Sequence, residues 1–353
     1  KPTKLESTMN NLRVIAIDLA KSTFQVCLFD RHMQVLSNRS MSRKALVKFL
    51  SKQSPALVAM EACGRAHYWA RKAQGFGHRA VVLPPKQVTP YRQGQKHDGN
   101  DALAIGIASQ QPQLKTVGVK TLEQQGLQGE KRIQEHLSDQ RTATGNLLRG
   151  LLAEFGLEIP KGTAALKRAL PEYLADAENA LPMPLRASLA LAWELWQHQE
   201  ALLGNSEQAL SKRANSLAPC RELLALEGVG DKNAIGLYLC IGDGQHFKNG
   251  REAAACIGMT PQQYSTGGRT QLMGIGKYRG DQRLRSSLIV GSRAAVNALA
   301  KREPRNTKEL WLKQLIERRG PGRAAVALAN KNIRTAWSML HHHTPYTAQA
   351  LVQ

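Results

Sequence analysis

The sequence predicts an α/β N-terminal domain, a central α-helical coiled-coil region and a mainly α-helical C-terminal domain. Three observations carry this expectation. Short apolar runs alternate with helical stretches over residues 12–112. Leucines then recur at helical spacing through residues 113–215. Glycine-rich, basic and helical segments fill residues 216–345. With 353 residues the chain is long enough for two or three domains, each with its own core.

Leu12–Asp18, Thr23–Phe29 and Gln34–Ser37 read as three strands. The second alternates Phe24, Val26 and Leu28 with polar or small neighbours, the two-residue period of a half-buried strand. Asp30-Arg31-His32 reads as a turn. Ser42–Ser51 reads as a helix with Leu46, Phe49 and Leu50 on one face and Ser42 as its N-cap. Ala56–Met60 and Ala80–Leu83 are short apolar runs that read as buried strands, the second closed by Pro84-Pro85. Helices are expected over Arg65–Gln74 and Asp101–Ser109. The order β-β-β-α-β-α-β-α resembles the RNase H-like fold.

This order places four acids tellingly. Asp18 ends the first strand and Glu61 directly follows the fourth. Asp98 and Asp101 lie three residues apart at the start of the last helix. Carboxylates at strand ends and at i,i+3 on one helix face converge on one pocket. Four such charges repel unless cations lie between them, so the pocket favours a divalent metal. Two metals held this way clamp the attacking and leaving oxygens of a phosphodiester. Around these acids the chain is basic, with 49 Lys+Arg against 27 Asp+Glu and a formal net charge of +22. That excess opposes compaction and suits a polyanionic partner. A basic body around a small acidic pocket fits a nuclease or DNA recombinase.

In the central region Leu122, Leu127, Ile133, Leu137, Leu148 and Leu152 recur along a first helix, with Arg132, Arg141 and Arg149 between them. Gly126, Gly129 and Gly145 weigh against its continuity. After a break at Gly156–Gly162, a second helix is expected over about residues 184–214. Two long helices joined by a loop suggest an antiparallel hairpin or an intermolecular coiled coil.

Further on, residues 223–234 look like half of a helix-hairpin-helix, in which Gly228-Val229-Gly230 opens a helix whose N–H groups bind a phosphate. A structural helix-turn-helix accounts for that segment nearly as well. Residues 258–285 read as a glycine-rich, hydroxyl-bearing loop running into a helix over Leu284–Lys301. Gly267 and Gly268 would let a phosphate backbone approach, and Arg269, Lys277, Arg279 and Arg285 would neutralise it. More basic residues follow, among them Arg302, Arg323, Lys331 and Arg334. His341-His342-His343 reads as a solvated run, because consecutive histidines share no helix face.

Five cysteines, with no C-x-x-C pair, read as buried or free thiols in a reducing compartment. No 18-residue apolar run suggests a membrane span, and Lys1–Asn11 is polar, without a signal-like apolar stretch. The expected location is the bacterial cytoplasm, with nucleoid association during reaction.

Four blocks together resemble one family: Ile17-Asp18-Leu19-Ala20-Lys21, Met60-Glu61-Ala62-Cys63-Gly64, Lys96-His97-Asp98-Gly99-Asn100-Asp101-Ala102 and residues 258–285. They are similar to the DEDD transposases of insertion-sequence family 110, with its 1111 subgroup and the Piv-type DNA invertases. Residues 141–156 also resemble that family's central helix. The resemblance implies a RuvC-like domain holding Mg2+ or Mn2+ at Asp18, Glu61, Asp98 and Asp101. It implies a hydroxyl nucleophile in the Tyr264–Gly268 segment. The family's serine stands directly before a glycine, where this chain has Thr266, with Ser265 one residue earlier. Threonine is the more crowded nucleophile, and both residues remain candidates.

The resemblance further implies recombination of double-stranded donor and target DNA, guided by a structured bridge or seeker RNA. The basic residues of the central helices would contact that RNA. The enzyme would act as a tetramer, a dimer of dimers. Two alternatives stand beside this reading: a metal-dependent junction nuclease in which water attacks, and a non-catalytic basic nucleic-acid-binding protein.

Overall fold

The computed structural model describes residues 12–95, 97–275 and 280–350. The polar Lys1–Asn11 stretch and the basic candidates Lys277 and Arg279 lie outside the described residues, as does Lys96 of the third block. The chain divides into two compact units, one ending at Glu123 and one beginning at Gln124.

The first unit is built on a five-stranded sheet of β1 (Val14–Leu19), β2 (Thr23–Phe29), β3 (Val35–Ser42), β4 (Leu57–Glu61) and β5 (Arg79–Leu83). The spatial order is β3-β2-β1-β4-β5. The first three strands are antiparallel, and β4 and β5 run parallel to β1. β3 is longer than the expected Gln34–Ser37. Its residues Ser37-Asn38-Arg39-Ser40 are exposed or half-buried polar side chains of an edge strand, which give no apolar alternation to read.

Side-chain alternation splits the strands between two cores. Ile15 and Ile17 of β1 join Phe24, Trp69, Leu46 and Leu50 under α1 (Arg43–Lys52) and α2 (Ala66–Gln74). Phe24 and Trp69 meet edge to face at 4.9 Å. Ser42 caps α1 as expected, accepting from the Ala45 amide at 3.3 Å. Val14, Ala16, Cys27, Phe29, Leu57 and Ala59 point the other way. After the short helix α3 (Pro85–Val88), α4 (Asp98–Ser109) covers that second face with Ala102, Ile105 and Ala108. A Cβ on Gly106 would lie 2.2 Å from the Phe29 ring, so only glycine lets α4 approach this closely. α4 begins at Asp98 rather than Asp101, which puts both aspartates in its first turn.

The second unit opens within α5 (Leu122–Ala153), an unbroken helix of 32 residues despite its glycines. Gly145 is needed where it stands, because a Cβ there would meet Trp196 Nε1 at 2.9 Å. α5 runs antiparallel to α7 (Met183–Ser216). Rungs between them are Arg141 Nη1 to Glu200 Oε2 at 2.9 Å, Gln134 Nε2 to Glu207 Oε1 at 3.4 Å and Arg213 to Glu130 at 3.7 Å. Of the two arrangements the sequence allows, an antiparallel hairpin within one chain is the one these contacts form. Its connection is not a simple loop, however. A third helix, α6 (Thr163–Ala175), packs Leu166 and Leu170 against Leu148, Leu152, Leu189 and Trp196.

Beyond this arm lie α8 (Ala218–Leu223), α9 (Asp231–Ile241) and α10 (Gly250–Ile257). A two-stranded ribbon of β6 (Pro261–Thr266) and β7 (Arg269–Ile275) follows, then α11 (Gln282–Leu299), α12 (Thr307–Arg319) and α13 (Pro321–His342). Leu127, Leu210 and Ala214 share one core with Leu223, Ile235, Ile257, Leu284 and Ile333. The open end of the helical arm is thus part of the C-terminal core. Gly228, at φ +76°, is held by packing, since a Cβ on Gly291 of α11 would lie 2.1 Å from its carbonyl oxygen. Residues 261–275, expected as a loop, form an antiparallel hairpin instead. Among the described residues, no helix is long and apolar enough to cross a membrane.

Candidate acidic centre and hydroxyl-bearing hairpin

The parity that divides the two cores also aims the acids. Asp18 follows Val14 and Ala16 on the α4 face of β1, and Glu61 follows Leu57 and Ala59 on the same face of β4. The parallel ladder pairs Ala16 with Ala59 and Ile17 with Met60. Asp18 and Glu61 are the residues that directly follow this last pair. Ala16 and Ala59 are small and fully buried, so α4 packs close to both strands. His97 caps α4, its Nδ1 accepting from the Gly99 amide at 3.0 Å. Asp98 and Asp101 share one face of the first turn, where the helix dipole favours negative charge.

One carboxylate oxygen each from Asp18, Asp98 and Asp101 lie within 4.8 Å of one another. Asp18 and Asp101 are half-buried and Asp98 is exposed. Glu61 senses the same cluster. Its pKa lies above the ordinary glutamate value, first through burial and then through the Asp18 and Asp101 charges, with Arg92 acting in opposition. Arg92 Nη1 lies 3.3 Å from Asp101 Oδ1. The donors are all hard oxygens at a single focus, which fits Mg2+ or Mn2+ and does not fit a soft metal.

Three further residues secure this centre, and nothing in the sequence pointed to them. Gln25 is the cross-strand neighbour of Asp18. Ser40 Oγ donates to Gln25 Oε1 at 2.6 Å, and Gln25 Nε2 donates to Asn38 Oδ1 at 2.7 Å. Asn38 Nδ2 donates to the Gly99 carbonyl at 2.9 Å. The chain of bonds ties the first turn of α4 to the sheet beside Asp18. Only the pairing of β2 with β3 assembles it.

The second unit carries the hydroxyl candidates. Gly267 and Gly268 form the two-residue turn of the hairpin, with φ of +54° and +76°. Two consecutive positive φ values make glycine the natural occupant of such a turn. Ser265 pairs with Thr270 and Thr266 with Arg269. Adjacent strand residues point to opposite faces, so the two hydroxyls face apart. Ser265 Oγ accepts from Gln263 Nε2 at 2.9 Å and lies 3.4 Å from Thr270 Oγ1. Thr266 has the Arg269 side chain on its face.

The remaining basic candidates divide by role. Arg141 is paired to Glu200, which Lys167 also holds at 3.0 Å. Arg149 donates to the Gly145 and Gly162 carbonyls at 3.2 and 2.7 Å, bracing the arm. Arg132 is exposed on α5. Arg285 stands in α11, with Nη1 3.5 Å from the Gly258 carbonyl.

Comparison with known proteins matches both ends of this arrangement. Residues 15–156 match a transposase family profile, and residues 220–307 match the profile described as the transposase IS116/IS110/IS902 family. A probable family 20 transposase of Pseudomonas aeruginosa is 41% identical, the alignment covering 95% of this chain and 99% of the relative. The transposase for insertion sequence element IS1111A of Coxiella burnetii is 36% identical over 98% of this chain and 94% of its own length. The transposase for insertion sequence element IS1328 of Yersinia enterocolitica is 33% identical over 96% and 100%.

Proposed function

This chain belongs to the IS116/IS110/IS902 family of transposases, and we propose that it recombines DNA through a metal-assisted acidic centre and a hairpin hydroxyl. As a transposase it catalyses DNA strand transfer, so DNA is its substrate. The sheet order β3-β2-β1-β4-β5 supports the reading of the first unit as RNase H-like, of RuvC type.

Asp18, Glu61, Asp98 and Asp101 are the residues that would hold Mg2+ or Mn2+. The gathering of three of these carboxylates within 4.8 Å is the observation that carries the proposal, and Glu61, its pKa raised first by burial and then by the Asp18 and Asp101 charges, stands beside them. Bound there, the cation supplies charge stabilisation at the reacting phosphate. The hydroxyl oxygen of Ser265 or Thr266 attacks the phosphorus. The P–O bond to the 3′ oxygen breaks, and that oxygen leaves as a 3′-hydroxyl, taking up a proton. The protein–DNA phosphodiester keeps the energy of the broken bond, so rejoining needs no nucleotide cofactor. Arg269 and Arg285 neutralise the backbone near the hairpin, together with Lys277 and Arg279, which lie outside the described residues.

Family resemblance supports two finer features, a structured guide RNA and a tetramer assembled as a dimer of dimers. The net charge of +22 is compatible with holding RNA as well as DNA, and the exposure of Arg132 supports it as a contact for the guide. Such a reaction takes place on the nucleoid, in the bacterial cytoplasm. Sequencing the RNA that copurifies with the protein tests the guide.

A DNA substrate nicked so that rejoining is blocked tests the chemistry. The wild type should accumulate a denaturant-resistant protein–DNA adduct that requires divalent metal. An adduct that persists in a Ser265→Ala/Thr266→Ala double variant would refute the hydroxyl mechanism.

A further inference from the structure

One face of α13 lines a cavity, with Val326 and Ala327 on it half-buried against the neighbouring cores. Arg323, Val326, Ala327, Asn330, Lys331, Arg334, Thr335 and Ser338 recur at helical spacing and floor a cavity of about 800 Å3. The 16 residues from Arg323 to Ser338 make the floor about 22 Å long. Trp311 and Trp337 stand on its lining, and Pro261 and Ile275, the first residue of β6 and the last of β7, lie on it too. The groove therefore opens at the base of the hairpin whose tip carries Ser265 and Thr266.

Charge and shape select the occupant. Arg323, Lys331 and Arg334 line the groove, and no Asp or Glu is among the described residues that do. Arg323 and Arg334 are exposed. Between and beyond the cations the lining is small or neutral, with Ala327, Thr335, Ser338 and Gly250. Lys331 Nζ sits 4.3 Å from the Trp311 ring centroid, and Trp337 Nε1 is fixed by the Gly244 carbonyl at 3.0 Å. Cations along a groove with aromatic rings on its walls are the features that bind unpaired nucleic-acid strands by phosphate attraction and base stacking. The cavity is of the size that encloses a small ligand, which suits a few unpaired nucleotides and excludes a double helix. The hairpin is about 17 Å from Pro261 to Thr266, so a strand cut at its tip reaches the groove within a few nucleotides.

We propose that this groove binds an unpaired stretch of the DNA strand next to the cleaved phosphate, with bases against the Trp311 and Trp337 walls and phosphates on Arg323, Lys331 and Arg334. The proposal rests on reading the hairpin as the strand-cutting element. It gives Arg323, Lys331 and Arg334 a task that the acidic centre does not.

The test uses the full chain and a short fluorescein-labelled oligo(dT), followed by anisotropy across a salt series. Duplex DNA and oligo(rU) serve as competitors. Arg323→Gln/Arg334→Gln should weaken oligo(dT) binding by about tenfold, and it should flatten the salt slope by about 1.4, the loss of two single-strand phosphate contacts. Trp311→Leu should weaken binding by a similar factor and leave the slope unchanged. The arginine variant should melt as wild type does, Trp311→Leu should melt lower yet stay folded at the assay temperature, and Mn2+ affinity should be unaltered in both. Unchanged oligo(dT) affinity and slope in both variants would overturn the proposal. So would a loss seen only with duplex DNA, or only with oligo(rU). Absence of Mn2+ binding or of a covalent adduct in the wild type would instead count against the catalytic reading, and would leave the groove result standing.

Discussion

Asp18 and Glu61 stand side by side on parallel strands, one residue beyond the paired Ile17 and Met60. Strand parity puts both on the face that α4 covers, and α4 brings Asp98 and Asp101 to the same edge. Two strand ends and one helix start thus converge without any loop having to fold onto the site.

That crowding has a pH signature. Burial first, and then the Asp18 and Asp101 charges, raise the Glu61 pKa in the folded chain. Just above the ordinary glutamate range, the folded chain therefore binds a proton that the unfolded chain has lost. In that window stability falls as pH rises. Metal-free Glu61→Gln should accordingly melt about 1–2 °C above wild type at neutral pH, a modest gain because the group is partly solvated. The difference should vanish once pH drops below the ordinary glutamate value. Scanning calorimetry at both pH values checks this, and a lower melting point for the variant at neutral pH would contradict the repulsion.

Gly106 sets how closely α4 approaches the sheet. With Phe29 only 2.2 Å from the position of an added Cβ, Gly106→Ala must push the helix or the ring aside. The expected cost is about 1–3 kcal/mol, typical of overpacking. Urea unfolding should show it in the first unit, with no effect on oligo(dT) binding.

Asn38 tests whether the bonds around the centre matter to it. Asn38→Ala removes the donor to the Gly99 carbonyl and should cost about 1 kcal/mol. It should also weaken Mn2+ binding by up to about tenfold, as outer hydrogen-bond partners of a metal site do. Isothermal titration measures the second effect directly. Unchanged Mn2+ affinity would reduce the network to a structural role.

The hairpin separates the two nucleophile candidates by face. Ser265 points toward Gln263 and Thr270, and Thr266 toward Arg269. A single phosphate meets one face only, so one of the single variants Ser265→Ala and Thr266→Ala should abolish the covalent adduct and the other should retain it. Partial loss in both would speak against a fixed ribbon geometry.

How legible this was in the sequence depended on whether local pattern or tertiary contact decided each element. The strands that carry Asp18 and Glu61 are readable because their apolar runs are buried on both faces. The Asp98–Asp101 spacing was readable because it falls within one helical turn. β3 was read short because Asn38 and Ser40 serve the α4 face through hydrogen bonds, which apolar periodicity does not register. α6 was missed because Pro171 lies inside it, although Leu166, Leu170 and Leu174 keep helical spacing. The hairpin reads as a loop in the sequence because its residues are almost all exposed, leaving no core face to alternate. Gly267-Gly268 was the one signal that would have found it. Gly145 reads as a weak point of α5 in the sequence, yet it is the site of close contact with Trp196. A glycine's neighbours across a helix pair are not visible along the chain.

The most direct test of the central claim is a Mn2+ titration calorimetry series on the metal-free full chain at neutral pH, run on wild type, Asp18→Asn and Asp101→Asn. The acidic centre predicts saturable binding to wild type that weakens as pH falls through the raised Glu61 pKa, and near-complete loss in both variants with their folds intact. Binding of equal strength in wild type and Asp18→Asn would contradict it.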